Sequence, residues 1–132
     1  MPYEHIDDET ITSLVHRFYA KVRQDPQIGP IFNDTIEEWG PHLATMVDFW
    51  SSVMLTTGRY KGNPMGKHMR LSGIRPESFE RWLTLFEATA GELFVPALAA
   101  GFVEKARRIA ESLQLGLFYR PRDFAVVPPP RV

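Results

Sequence analysis

Hydrophobic residues recur at three- and four-residue steps in several stretches of the chain, the spacing of helices with one apolar face. The first stretch runs from Asp8 to Arg23, and its acidic start suits the helix dipole. Proline disfavours helical geometry in the residue before it, so this helix is expected to end near Asp25 and Pro26. Its apolar face consists of Ile11, Leu14, Val15, Phe18 and Val22.

The start of the second helix is open to two interpretations. Thr35 and Glu38 have the spacing of a capping box, which predicts a helix from Thr35, after a connector with one tight turn over residues 27–34. Pro41 either kinks the first turn of that helix or marks the point near which a longer helix begins. The helix is expected to reach about Thr57. Its apolar positions are Leu43, Met46, Val47, Trp50, Val53 and Met54.

The second half of the chain predicts one short helix and two long ones. Glycines and a proline between Gly58 and Gly66 indicate a loop, with a short helix over roughly Pro64 to Leu71 that Ser72 and Gly73 end. Pro76 suits the first turn of the next helix, and the last helix begins at about Pro96. Since alternating, hairpin-bounded runs are missing, the pattern predicts an all-α domain of about five main helices.

Composition and length fit one globular domain. The chain has 132 residues, of which 44% are hydrophobic and 23% charged, enough for a single core. We expect the domain to span residues 1–120 and the proline-rich segment 121–132 to form a flexible tail.

Charge and residue usage exclude several classes of protein. With 15 basic and 16 acidic side chains the net charge is −1, which argues against a nucleic-acid partner. The absence of cysteine excludes disulfides, thiolate metal sites and cysteine nucleophiles. No apolar run reaches membrane-spanning length, and the acidic amino terminus lacks the apolar segment of a secretory signal, so we expect a cytoplasmic protein without a membrane span.

The common catalytic motifs are also missing. There is no glycine-rich phosphate loop, no His-Glu-x-x-His pair, no Gly-x-Ser-x-Gly elbow and no calcium loop. The histidines are too far apart for a zinc pair on one helix. They lie at His5, His16, His42 and His68. Haem needs only one protein ligand and brings four nitrogens of its own, so it is the metal cofactor that this chain could hold.

His68 is the candidate iron ligand. It lies within "NPMGKHMRL", on the predicted short helix, with methionines and cations as neighbours. A neutral imidazole on a short helix, apolar contacts for the ring and cations for the propionates are what haem requires. The plain alternative is an ordinary histidine with a satisfied hydrogen bond. Candidates for the rim, each by itself an ordinary surface residue, are Tyr60, Lys67 and Arg70.

Residues of the earlier helices could cover the opposite face of the same haem. His42 begins the second apolar stripe, and Met46 and Phe49 follow it at helical spacing. Tyr19 and Trp82 carry polar hydrogens on otherwise apolar faces, and such donors need partners when buried. Each of these residues could equally be an ordinary core residue.

Taken in order, these residues resemble those of the third group of truncated haemoglobins. The likeness covers about residues 6 to 118. It rests on the pair Phe18-Tyr19, Phe32 after a Pro-Ile turn, Trp39-x-x-His42-Leu43, Met46, Phe49-Trp50, Tyr60-Lys61-Gly62-Asn63-Pro64, His68 and Phe79-x-x-Trp82. The paired-glycine motifs of the other two groups are absent after the first helix, which fits the third group and leaves the existence of a gas tunnel open.

The resemblance implies a two-over-two helical sandwich around haem b. In it His68 would be the proximal ligand, and Phe32 would pack against the macrocycle. It also implies that Tyr19 and Trp82 are distal hydrogen-bond donors and that His42 is the distal histidine. Met46 and Phe49 would form apolar walls, and Lys67 would lie near a propionate.

The function that the resemblance implies is binding of O2, CO, NO or small anions at one iron. Two distal donors predict slow O2 release, which suits NO or reactive-species chemistry or sensing better than transport. The alternatives are a haem enzyme with NO dioxygenase or peroxidase-like activity and an external reductase, and a helical interaction module without a cofactor. His42 could also bind the iron itself. We expect a monomer, or at most a weak dimer.

Overall fold

The computed structural model describes residues 1–68, 71 and 73–118, and within these residues the chain forms six helices. Four are long, whereas α2 and α4 have five residues each. The helices are α1 (Asp8–Gln24), α2 (Gly29–Asn33), α3 (Trp39–Leu55), α4 (Pro64–His68), α5 (Pro76–Leu93) and α6 (Pro96–Phe118).

The ends of α1 follow from local hydrogen bonds. At its start the Asp7 carboxylate accepts the Thr10 backbone N–H at 2.9 Å, and the Thr10 hydroxyl oxygen accepts the Asp7 N–H at 2.9 Å. This reciprocal cap satisfies two donors that a helix start leaves free. At the other end the Asp25 N–H donates to the Val22 carbonyl at 3.1 Å. The predicted helix and its end near Asp25 are confirmed.

The connector after α1 forms the single-turn helix α2. The buried Asp25 carboxylate accepts the backbone N–H groups of Gln27 and Ile28 at 3.1 and 3.0 Å, which fixes the chain ahead of the turn. Gly29 then passes close to the end of α1, since a Cβ there would lie 3.0 Å from the Val22 carbonyl oxygen. A side chain would push the two segments apart, so this approach requires glycine.

The prediction of a helix start at Thr35 is wrong. The Thr35 hydroxyl donates to the Ile31 carbonyl at 2.9 Å, so it serves the end of α2 instead of a new helix. Helix α3 begins at Trp39, and Glu38 precedes it without a side-chain cap. Pro41 lies in the first turn, where its missing N–H costs nothing, so the interpretation of a longer helix beginning near Pro41 is confirmed.

The carboxyl ends of α3 and α4 are predicted at about Thr57 and Leu71. Helix α3 ends at Leu55, slightly before the expected Thr57, because Thr56 takes a left-handed conformation with φ of 55°. Helix α4 is described from Pro64 to His68. Met69, Arg70 and Ser72, which belong to its predicted continuation and end, lie outside the described residues.

Two pairs of long helices form the core. Helix α1 packs on α3, α5 packs on α6, and contacts between α1 and α5 join the pairs, while α2 packs on α1 and α4 on α6. This is the predicted two-over-two arrangement. Its centre is rich in aromatic rings, which pack in edge-to-face and stacked pairs. They are Phe18, Trp50, Trp82, Phe86, Phe94 and Phe102.

The amino-terminal segment crosses the corner between α5 and α6. The Tyr3 N–H donates to the Leu93 carbonyl at 2.7 Å, the Val95 N–H donates to the Tyr3 carbonyl at 3.0 Å, and the Tyr3 hydroxyl lies 3.0 Å from that of Ser13.

No helix in the described part of the chain is long and apolar enough to cross a membrane. The predicted tail, residues 121–132, lies outside that part.

Candidate functional site

A mainly apolar cavity of about 360 Å³ lies between α2, α3, α4, α5 and α6. Most of the predicted site residues meet there, on its walls. They are Phe32, His42, Met46, Phe49, Tyr60, Lys67, His68 and Trp82. Tyr19 is buried one layer behind this wall, and Arg70 lies outside the described residues.

His68 presents one free ring nitrogen. Its Nδ1 lies 2.7 Å from the Pro64 carbonyl oxygen, four residues back along α4. Since a carbonyl oxygen only accepts, Nδ1 carries a proton, and Nε2 is the ring nitrogen left to bind a metal. The ring also stacks on Phe79, with centroids 6.0 Å apart and planes 25° from parallel. The hydrogen bond and the stacked ring hold the imidazole in an orientation in which histidine can bind a metal through Nε2.

The sequence around Asn63 explains why so short a helix forms. The Asn63 side-chain oxygen accepts the Gly66 N–H at 3.1 Å, and its backbone carbonyl accepts the Lys67 N–H at 3.1 Å. Pro64 fills the first helical position, where no donor is needed. Asparagine before proline is thus a start signal that places His68 at the end of one helical turn.

His42 carries a buried nitrogen without a partner. Its Nε2 has no hydrogen bond within the described residues. The ring is held edge-on by Tyr19 and Trp39, at centroid distances of 5.3 and 5.4 Å. Burial lowers the pKa of His42, and the nearby Lys67 charge lowers it further. His42 is therefore neutral at pH 7, and its unpaired nitrogen has a free-energy cost that a bound ligand could relieve.

Tyr19 and Trp82 are neighbours: Trp82 lines the cavity, and Tyr19 is buried behind its wall. Burial raises the pKa of the Tyr19 phenol, and a hydrogen bond with Trp82 offsets part of the rise. The phenol is thus protonated throughout the physiological range and can donate. Its ring packs on Phe32, at a centroid distance of 5.9 Å, and on His42. Tyr19 therefore supports two wall residues as well as offering a donor.

An ion-pair cluster fixes the loop that carries Tyr60. Arg59 donates to both carboxylate oxygens of Asp8, at 2.9 and 3.0 Å, and lies 3.2 Å from Asp48. Beside it the Tyr60 N–H donates to the Ser52 hydroxyl oxygen at 2.9 Å. Sequence reasoning missed this cluster, because Arg59 and Asp8 are far apart along the chain and no spacing connects them.

Sequence reasoning also missed part of the apolar wall. Phe79 stacks on the His68 ring, but its helical spacing in the sequence indicated only a core residue. The other missed wall residues are apolar side chains from four parts of the chain: Ile28, Ile31, Ile36, Ile74, Ile109 and Leu113. No motif marks them, since an apolar residue on a pocket wall and one in a core look alike in sequence.

These features fit an apolar prosthetic group that one histidine can bind. The cavity is within the usual range for cofactor sites, is walled by apolar and aromatic side chains, and has a metal-competent histidine on α4 and an unpartnered one on α3. No group of three or more histidine, cysteine or carboxylate side chains that could hold a bare metal ion occurs within the described residues. The fold and cavity thus define a helical protein with an enclosed apolar site for a cofactor that a single histidine can hold.

Comparison with known proteins gives the family. The family model of the bacterial-like globins matches residues 2–105. A group 3 truncated hemoglobin, ctb, of Campylobacter jejuni is 38% identical over 122 residues, which cover 89% of this chain and 96% of that protein. The crystal structure of the group III truncated hemoglobin from Campylobacter jejuni matches with a TM-score of 0.86 and 37% identity, over 90% of this chain and 97% of that chain.

This chain therefore belongs to the bacterial-like globins, and within them to the group III truncated haemoglobins. The predicted family and the truncated globin fold are confirmed. As a globin it is a haem-binding protein, which weighs against the cofactor-free helical module.

Proposed function

We propose that this globin binds haem b through His68 and takes up O2, NO or CO at the iron with high affinity. The observation that carries the proposal is the hydrogen bond from His68 Nδ1 to the Pro64 carbonyl, which leaves Nε2 free beside the cavity. Fixing one ring nitrogen on a backbone carbonyl is a common way to orient a metal-bound histidine.

The cavity residues divide into a wall and a rim. Phe32, Met46 and Phe49 provide apolar surface that excludes water from a macrocycle. Tyr60 and Lys67 offer a hydroxyl and a positive charge, which suit propionate groups, and Arg70 is assigned to the same rim from the sequence. When bound, haem supplies an iron with one position open to a small ligand.

We assign the high affinity for the iron-bound ligand to hydrogen-bond donors of the residues around His42. The Tyr19 phenol stays protonated because burial raises its pKa, and Trp82, whose indole N–H bonds to the Tyr19 hydroxyl, is on the cavity wall. Donors in a low-dielectric site stabilise a ligand that carries partial negative charge more strongly than water would. Slow O2 release follows, which suits NO or reactive-species chemistry, or sensing, better than O2 transport.

A haem enzyme is the second candidate, either an NO dioxygenase or a peroxidase-like protein. The neutral, unpartnered His42 favours it, because such an imidazole can accept a proton from a reacting ligand. An external reductase would then keep the iron ferrous. Sustained consumption of NO or peroxide by the holoprotein with a reductant would support this candidate, whereas a single stoichiometric reaction would leave a ligand-binding protein.

The test of the proposal is the absorption spectrum of a His68→Ala variant, in ferric, reduced and CO-bound forms, after haem supplementation. We expect loss of tight haem binding, because the bond from the protein to the iron is removed. His16→Ala, which changes an exposed histidine of α1, is the matched control and should keep the full Soret band. A normal spectrum in His68→Ala would show that another residue holds the iron.

A further inference from the structure

Helix α4, which carries His68, depends on its neighbours for its position. It has five residues, and none of them is fully buried. A single helical turn has little stability of its own, because the cost of starting a helix is spread over too few hydrogen bonds. Whatever packs against α4 therefore decides where the His68 ring lies.

The carboxyl end of α6 makes one of these contacts through Gly116. A Cβ at Gly116 would overlap the end of the Met65 side chain and would lie 2.7 Å from its Sδ. Met65 thus lies directly over the α6 backbone. Glycine weakens a helix compared with alanine, and its place here is explained by the room it gives to a side chain of α4.

A second contact runs through aromatic rings. Phe118, at the end of α6, packs edge-on against Phe79 with a centroid distance of 6.0 Å, and Phe79 stacks on His68 at the same distance. Phe79, Ala110 and Leu113 form a small core of their own, separate from the main one, against which Met65 and Phe118 pack. The last turns of α6 therefore act on His68 in two ways, through Met65 of α4 and through the ring of Phe79.

We propose that residues 113–118 of α6 position His68: the contact of Gly116 with Met65 sets the place of α4, and the contact of Phe118 with Phe79 sets the plane of the ring. These are positioning residues, which act through α4 and Phe79. The inference rests on the proposed role of His68 as iron ligand. It assigns control of the iron–histidine bond to a helix end that supplies no ligand.

The test uses the iron–imidazole stretching band in the resonance Raman spectrum of the ferrous holoprotein. Gly116→Ala adds a methyl group where the Met65 side chain ends, and we expect the band to shift. Gly101→Ala is the matched control on the same helix, because a Cβ there meets only the Met54 Cε, at 4.0 Å. In a Met65→Ala background the side-chain atoms that the added methyl would overlap are gone, so Gly116→Ala should no longer move the band. Phe118→Leu should also shift the band, because it removes the ring that packs against Phe79.

The outcomes separate the two proposals. If His68→Gly does not remove the band of the wild-type protein, the proposed ligand is wrong. If His68→Gly removes the band but neither Gly116→Ala nor Phe118→Leu shifts it, the inference about α6 is overturned and the ligand stands. Thermal unfolding of Gly116→Ala gives a further control. Alanine raises helix propensity, so we expect the melting temperature of this variant not to fall. A band shift without a loss of thermal stability then reports the position of His68 and not general damage to the fold.

Discussion

At the scale of single residues, the site combines buried polar groups with an apolar wall. His42 is neutral and unpartnered, and Tyr19 is kept protonated by burial. The resemblance selected both residues from the sequence. It did not show that Tyr19 lies behind Phe32 and His42, since the depth of a side chain depends on the packing of three separate helices.

The role of Tyr19 can be tested by Tyr19→Phe, which removes the hydroxyl and keeps the ring that packs on Phe32. A hydrogen bond contributes about 0.5–1.5 kcal/mol, so we expect O2 to dissociate about two- to tenfold faster in stopped-flow measurements. Tyr3→Phe is the control, because that hydroxyl bonds to Ser13 at the amino-terminal crossing. Equal dissociation rates for Tyr19→Phe and the wild-type protein would contradict the assignment.

At the scale of helices, Asp25 joins three elements. Its backbone N–H closes the end of α1 on the Val22 carbonyl. Its carboxylate holds the backbone before α2 and pairs with Arg81 of α5, at 2.8 Å from Nε and 2.7 Å from Nη2. The Asp25 side chain is only 3% exposed, whereas that of Arg81 is 39% exposed and keeps part of its hydration. Since α2 and α5 both carry cavity residues, this junction also fixes part of the wall.

Asp25→Ala should lower the free energy of unfolding by about 2 kcal/mol in urea titrations, because it removes charge-assisted hydrogen bonds from a partly solvated pair. Asp25→Asn keeps an acceptor for the backbone N–H groups and should cost less. Asp48→Asn, at an exposed carboxylate, is the control and should change stability little. An Asp25→Ala variant as stable as the wild-type protein would show that the junction is unimportant.

The same pair predicts a pH dependence. The hydrogen bonds from Arg81 lower the pKa of Asp25 below its ordinary value. The stability from this pair is thus fully present above the ordinary aspartate pKa, about 3.9, and is lost as the pH falls through the lower folded value. The difference in stability between wild type and Asp25→Asn should therefore be constant near pH 7 and shrink below about pH 4. A difference that is the same at both pH values would contradict this.

Element boundaries show what the sequence could not decide. Apolar spacing and prolines predicted α1, α5 and α6, because those signals act within each helix. The start of α3 stayed open between two interpretations, since whether the Thr35 hydroxyl caps a new helix or bonds to the Ile31 carbonyl depends on α2, a turn held by Asp25.

At the scale of the whole molecule, the fold encloses a cavity of about 360 Å³ among its helices. Periodicity predicted an all-α domain, but the two-over-two arrangement came from the family resemblance, because helix faces do not specify their partners. A cofactor that fills this cavity binds only the folded chain and must therefore stabilise it.

Removal of haem should lower the melting temperature, since a ligand at 100 times its dissociation constant stabilises a fold by about 2.7 kcal/mol. Amide hydrogen exchange should quicken most in α4, which has no fully buried residue, and little in α1. Apoprotein and holoprotein with equal exchange in α4 would show that this helix is held without haem. The His16→Ala holoprotein is a control for the effect of handling.

The tryptophans of this chain are distributed unevenly. Of the three, Trp50 and Trp82 line the cavity, and Trp39 packs on the ring of His42, which is on the cavity wall. Haem absorbs light in the range in which indoles emit, so every indole of the protein lies within reach of energy transfer to a bound haem. The intrinsic fluorescence should consequently be nearly dark in the loaded protein and bright in the empty one. Tryptophan fluorescence thus reports, without an added label, the fraction of the protein that holds its cofactor.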